Sequence, residues 1–191
     1  MSLTCQKYVY IRTFGCQMNE HDSDKIVHLL SSHGFIRTDN ISDANLILFN
    51  TCTIREKANQ KAMSEIGRSL KRKESHPETL IGVCGCVAQE VREKIFSRFP
   101  HVDLLFGPDQ LYKIPELIQK AALKQKISSF DLINNQSEYV FLDRSISKET
   151  SSFVSIMKGC NSACSYCIVP SVRGREVCRP DIKIIEEIKN L

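Results

Sequence analysis

The residues best equipped for chemistry in this chain are its cysteines. There are nine in 191 residues, and six fall into two patterns. The compact pattern is Cys160, Cys164 and Cys167 in GCNSACSYC, spaced C-x3-C-x2-C. Three thiolates so close in sequence can wrap three corners of a cubic 4Fe-4S cluster, leaving the fourth iron without a protein ligand. An open iron takes a small molecule that offers an amine and a carboxylate. Zinc is the rival occupant of such a thiolate set.

The second pattern is spread out. Cys16 in FGC, Cys52 in NTC and Cys86 in CGC each lie just beyond an apolar run. In open α/β sheets, sites form outside the carboxyl ends of the strands. Three cysteines far apart in sequence are thus expected at one sheet edge, where a shared metal site can form. Their thiolates suit a cluster with one open iron, or a zinc with one open position. The alternative is that they are small buried hydrophobes, as free cysteines often are. Cys84 competes with Cys86 as a ligand. The Gly-Cys pair repeated at Cys16 and Cys86 favours Cys86.

The elements that must position these groups are legible as periodicity. Apolar runs over 8–14, 45–50, 79–84 and 102–106 read as strands. Helical patterns over about 20–32, 54–73, 87–99 and 109–124 alternate with them. Short continuous apolar strands alternating with helices imply α/β architecture, a doubly wound parallel sheet of flavodoxin or Rossmann type. Residues 1–125 are read as this domain. Residues 126–150, rich in Ser and Asn, are read as a connector with a hairpin. Residues 151–191 open a new unit with the strand FVSIM and a helix beginning near Pro180 or Asp181.

Composition sets bounds. Hydrophobic residues make up 42% and charged residues 25%, as in globular proteins. No apolar run approaches the roughly 18 residues of a membrane span, and the first residues carry no export pattern. A cytoplasmic location with no membrane partner is expected. An odd cysteine count in such a setting argues against a disulfide framework. The formal charge of +4 permits RNA binding without requiring it. The run Arg68, Lys71, Arg72, Lys73 reads as a solvated helix face.

Four stretches together carry a resemblance. TFGCQMNEHDS around Cys16, NTCTIREKA around Cys52, GCVAQE around Cys86 and KGCNSACSYCIVPSVRGRE around the compact trio resemble the methylthiotransferase family of radical-SAM enzymes. The match covers nearly the whole chain, with the motifs in order. Within the family, GCQMN and TIREKA resemble most the branch that acts on N6-isopentenyladenosine in tRNA; the branches acting on a ribosomal protein or on threonylcarbamoyl-adenosine in tRNA, which usually differ after the first cysteine, are the alternative.

The resemblance implies two 4Fe-4S clusters and S-adenosyl-L-methionine as cofactors. Cys160, Cys164 and Cys167 would hold the cluster that binds and reductively cleaves S-adenosylmethionine. Tyr166 stands where the superfamily has an aromatic near the cofactor's adenine. Cys16, Cys52 and Cys86 would hold the second cluster, which supplies or binds sulfur. A 5′-deoxyadenosyl radical would take hydrogen from C2 of the substrate adenine, and another S-adenosylmethionine would donate the methyl group. The implied product is a 2-methylthio group on N6-isopentenyladenosine beside the anticodon. The implied partners are the anticodon stem-loop of tRNA and an electron-donor protein, with the enzyme a monomer. Arg173 and Arg175 are read as phosphate or substrate contacts, or equally as surface salt bridges. Cys178, where related sequences often have Ser, is read as a neutral substitution. Cys5 and the five histidines receive no role.

The family's radical domain is a large open α/β barrel followed by a small RNA-binding β domain. Residues 151–191 match only the first βα unit of that barrel, so the chain is expected to be the front part of a longer, truncated enzyme. One βα unit cannot bury the faces of a parallel sheet, and residues 150–191 are therefore expected to be poorly packed. An iron–sulfur carrier without catalysis, or a zinc-stabilised RNA-binding module, would use the same composition.

Overall fold

The computed structural model describes residues 6–142 and 152–191. In chain order the first unit runs β1 (Lys7–Thr13), α1 (Gln17–Ser31), β2 (Phe35–Arg37), β3 (Leu46–Thr51), α2 (Glu56–Arg68) and α3 (Leu70–Ser75). It continues with β4 (Leu80–Gly85), α4 (Cys86–Val91), α5 (Lys94–Arg98), β5 (Leu104–Phe106), α6 (Ile114–Ala122) and β6 (Ile127–Ser129). Then follow β7 (Met157–Lys158), α7 (Val169–Arg173), β8 (Val177–Cys178) and α8 (Asp181–Asn190). Cys5 and residues 143–150 of the connector lie outside the described residues.

All six strands of the first sheet are parallel, in the order β2-β1-β3-β4-β5-β6. Every residue of β3 is buried, which requires cover on both faces. Leu46 and Leu48 point into a core with Ile26 and Leu30 of α1 and Leu117 of α6. Ile47 and Phe49 point the other way, onto Ala62 and Ile66 of α2 and Ile95 of α5. Burying each such large side chain contributes about 1.5–3 kcal/mol. The doubly wound reading therefore holds, and β1, β3, β4 and β5 fall where the apolar runs placed them.

Several details differ from the sequence reading. β2 and β6, three residues each on the two edges, are half-buried or exposed apart from Phe35 and make no apolar run, unlike the equally short β5, and β6 falls inside the expected connector. The helix expected over 54–73 breaks at Ser69, whose hydroxyl bonds back to the Ile66 carbonyl at 2.6 Å, a contact that bends helices. The helix expected over 87–99 breaks at Arg92, which has φ 54° and lies over the Phe130 ring. Of FVSIM only Met157 is in a strand, Met157–Lys158, paired antiparallel with β8. Half of the basic run turns inward: Lys73 binds Asp103 at 2.8 Å, and Arg72 donates to the Ala44 carbonyl at 3.4 Å.

The segment after the connector is better packed than expected up to residue 179. Lys158 is buried in an ion pair with Asp109 at 2.5 Å and also donates to the Ile133 carbonyl. Val172 and Val177 are buried. Arg179 is buried too and binds Glu187 of α8. Helix α8 itself buries no residue, and Ile182, Ile185 and Ile188 are exposed.

Removing one partner of a buried ion pair strands the other charge. Lys158→Met is expected to lower unfolding stability by about 3–5 kcal/mol, and Lys158→Met with Asp109→Leu by clearly less. Urea denaturation of the single and double variants measures this. Additive losses would show the two groups to be uncoupled.

Candidate metal centre

The carboxyl ends of three neighbouring strands build the first cysteine site. Thr13 of β1 is in register with Asn50 of β3, and Thr51 of β3 with Gly85 of β4. Cys16, Cys52 and Cys86 follow these ends by one to three residues. Chain order reverses between β1 and β3, so Cys16 and Cys52 flank the crevice where such sheets bind ligands.

Two glycines let the loops close. Gly15 has φ +128°, and a Cβ there would fall inside the Cys52 side chain. Gly85 has φ +89°, and its Cβ would strike the Thr51 carbonyl. Below the loops, Asn19 donates to the Asn50 side chain at 3.0 Å and to the Thr51 carbonyl at 3.1 Å. Asn50 returns a bond to the Asn19 carbonyl at 2.8 Å and another to Ser23 at 3.0 Å. This buried lock ties the start of α1 to the end of β3. Above it, Arg55 donates to the Gly15 carbonyl at 2.9 Å.

The thiols sit in distinct settings. Cys16 stands at the N-cap position of α1 without capping it through its side chain, and donates to Asn19 Oδ1 at 3.2 Å. Burial pushes the Cys52 thiol up; Cys16 beside it adds to this, while the backbone amides of Ile54 and Arg55 oppose it. Burial also pushes Cys86 up, against the pull of Arg173, whose Nε donates to Cys86 Sγ at 3.4 Å. Cys84 lies wholly inside the sheet core with Leu48 and Leu104, and burial pushes its thiol well up. It is a core residue, and Cys86 is the one at the edge.

The compact trio lies in the loop between β7 and α7. Cys160 and Cys167 are partly exposed and Cys164 is exposed. They line an open pocket of about 780 Å³ with Asn134, Arg175 and Glu176. The loop is pinned by Cys160 N–H to the Gly174 carbonyl at 3.2 Å and by Glu176 N–H to Asn161 Oδ1 at 3.1 Å. Asn134 of the connector accepts from the Arg175 amide at 2.8 Å. Tyr166 is 90% exposed.

Among the described residues, no three His, Cys, Asp or Glu side chains are gathered tightly enough for a single metal ion. Iron–sulfur clusters are held by cysteine thiolates. Three soft thiols at one edge, with a largely buried guanidinium against one of them, suit such a cluster.

Sequence reasoning missed Asn19, Asn50 and Arg55, and misplaced Arg173. A polar residue ending the apolar run NLILFN was the available sign for Asn50. Arg173 joins neither solvent nor the open pocket. Its Nη2 meets Asp22 of α1 at 2.8 Å, and the side chains are 12% and 6% exposed.

With this geometry established, the comparisons decide the family. The model of Uncharacterized protein family UPF0004 matches residues 8–107, just over half of the chain. The chain belongs to that family. Relatives include proteins of Paraburkholderia phytofirmans, 45% identical over 186 residues, and Cupriavidus taiwanensis, 46% identical over 189 residues. Another, from Burkholderia thailandensis, is 46% identical over 187 residues. Each is named tRNA-2-methylthio-N(6)-dimethylallyladenosine synthase. Each alignment covers 97% of this chain and 41% of the relative, so the chain spans about two fifths of the relatives' length.

The glycine at the first loop offers a direct check. Gly15→Ala is expected to lower unfolding stability by about 1–3 kcal/mol or more, from left-handed backbone strain plus the clash with Cys52. A denaturation midpoint equal to that of the unaltered chain would contradict the packing described here.

Proposed function

We propose that this chain is the two-site front portion of an enzyme that methylthiolates C2 of N6-isopentenyladenosine beside the anticodon of tRNA. The observation that carries the reading is the convergence of Cys16, Cys52 and Cys86 at one sheet edge, with the loop of Cys160, Cys164 and Cys167 docked on the same domain. The names of the relatives support the substrate class.

Two 4Fe-4S clusters and S-adenosylmethionine, when bound, would supply reductive cleavage of the sulfonium and the sulfur and methyl to be transferred. The chain's residues then have definable tasks. Cys16, Cys52 and Cys86 hold one cluster on a rigid sheet edge and leave one iron free. Cys160, Cys164 and Cys167 hold the other in an open pocket with space for a small molecule. Tyr166, exposed on the same loop between Cys164 and Cys167, is available to stack on an adenine. Asn19 and Asn50 keep the first loop in place, and Gly15 and Gly85 let the backbone pass close to the sulfurs. Partners on this reading are the tRNA anticodon stem-loop and an electron-donor protein.

Anaerobic loading with iron and sulfide tests the reading. The 191-residue chain is expected to hold about eight irons. Replacing Cys16, Cys52 and Cys86 together by Ala is expected to leave about four, as is replacing Cys160, Cys164 and Cys167. Cys84→Ala is expected to keep all of them. S-adenosylmethionine should alter the electron paramagnetic resonance signal only while the compact trio is intact. Undiminished iron after loss of either trio contradicts the proposal. Full loading with no response to S-adenosylmethionine would favour an electron carrier.

A further inference from the structure

Arg173 follows Cys167 by six residues, yet its guanidinium belongs to the other cysteine site. Asp22, on the inward face of α1, fixes one end of it at 2.8 Å. That contact is a buried ion pair. Nε points at Cys86 Sγ, 3.4 Å away. The next residue closes the compact loop, since the Gly174 carbonyl accepts the Cys160 amide at 3.2 Å. Two consecutive residues thus touch the first trio through a side chain and the Cys160 backbone of the second through a carbonyl. α7 carries this stretch, and it packs against α4, which begins at Cys86.

We infer that Arg173 is a positioning residue for the first cysteine site: it reaches back from the loop of the second trio, donates to the Cys86 sulfur, and sets the electron affinity of what the first trio holds. The inference rests on the cluster reading above and assigns a role that reading leaves open. A donor and a positive charge on a cluster sulfur stabilise the reduced state, which carries one more electron, and so raise the reduction potential. The planar fork of arginine can meet a carboxylate with one edge and a sulfur with Nε. Lysine, a point charge, cannot serve both at once. The first site's redox poise therefore depends on the second site's loop being docked.

The test uses the 191-residue chain with Cys160, Cys164 and Cys167 replaced by Ala, so that only the first trio loads. Iron content is measured first: about four irons are expected, and none would overturn the cluster reading and this inference with it. Potentiometric titration then compares Arg173→Gln and Arg173→Lys with that parent. At a fixed potential, Arg173→Gln is expected to lower the reduced-to-oxidised ratio about tenfold, a shift of about 59 mV for one electron. Arg173→Lys, which keeps the charge and guards against loss of folding, is expected to lower it about threefold. If the parent holds its iron and both variants titrate at the parent potential, Arg173 is only a brace and the inference fails.

Discussion

In a parallel sheet every strand ends at the same edge, and this constraint governs the rest of the molecule. β1, β3 and β4 are adjacent and in register. Whatever follows each of them must emerge beside its neighbours. Residues 16, 52 and 86 need no long-range design to meet; they need only short loops of fixed shape. Gly15 and Gly85 permit that shape, because their backbone conformations and the space around them exclude a side chain. The family match over residues 8–107 covers this arrangement, from the start of β1 to the end of β5.

The site costs the fold something. Helix α1 buries Asn19, His21, Asp22, Ser23 and Lys25, where an ordinary sheet-packing helix would bury aliphatic residues. Buried polar groups destabilise unless they find partners. Asn19 and Ser23 find theirs in Asn50, and Asp22 in Arg173. Burial lowers the Lys25 pKa, with Asp22 opposing. α1 therefore holds the first site and receives the segment that carries the second. Breaking the local rule of an apolar inner face is what is expected where a fold serves chemistry.

Much of this was legible in the amino-acid sequence. Continuous apolar runs announced the four long or central strands, and the positions of Cys16, Cys52 and Cys86 just past them announced the edge. Cys86 was preferred to Cys84 on a repeated Gly-Cys pair; in the structure Cys84 packs in the sheet core with Leu48 and Leu104. The edge strands were illegible because FIR of β2 and ISS of β6 are half-buried or exposed apart from Phe35 and make no apolar run, unlike the equally short but buried LLF of β5. Arg173 was misread because its partners, Asp22 and Cys86, lie 151 and 87 positions away, and sequence spacing carries no trace of such contacts. The docking of residues 157–179 was underestimated for the same reason, since Lys158 and Asp109 are 49 positions apart.

The central claim is that three strand ends bring three thiols to one iron–sulfur site. Anomalous diffraction at the iron edge, on crystals of the anaerobically loaded chain, addresses it most directly. The account predicts one group of iron peaks just beyond the carboxyl ends of β1, β3 and β4, bonded to the sulfurs of Cys16, Cys52 and Cys86, and a second group over the loop of Cys160, Cys164 and Cys167. An empty sheet edge, or iron bonded to Cys84 in place of Cys86, would contradict it.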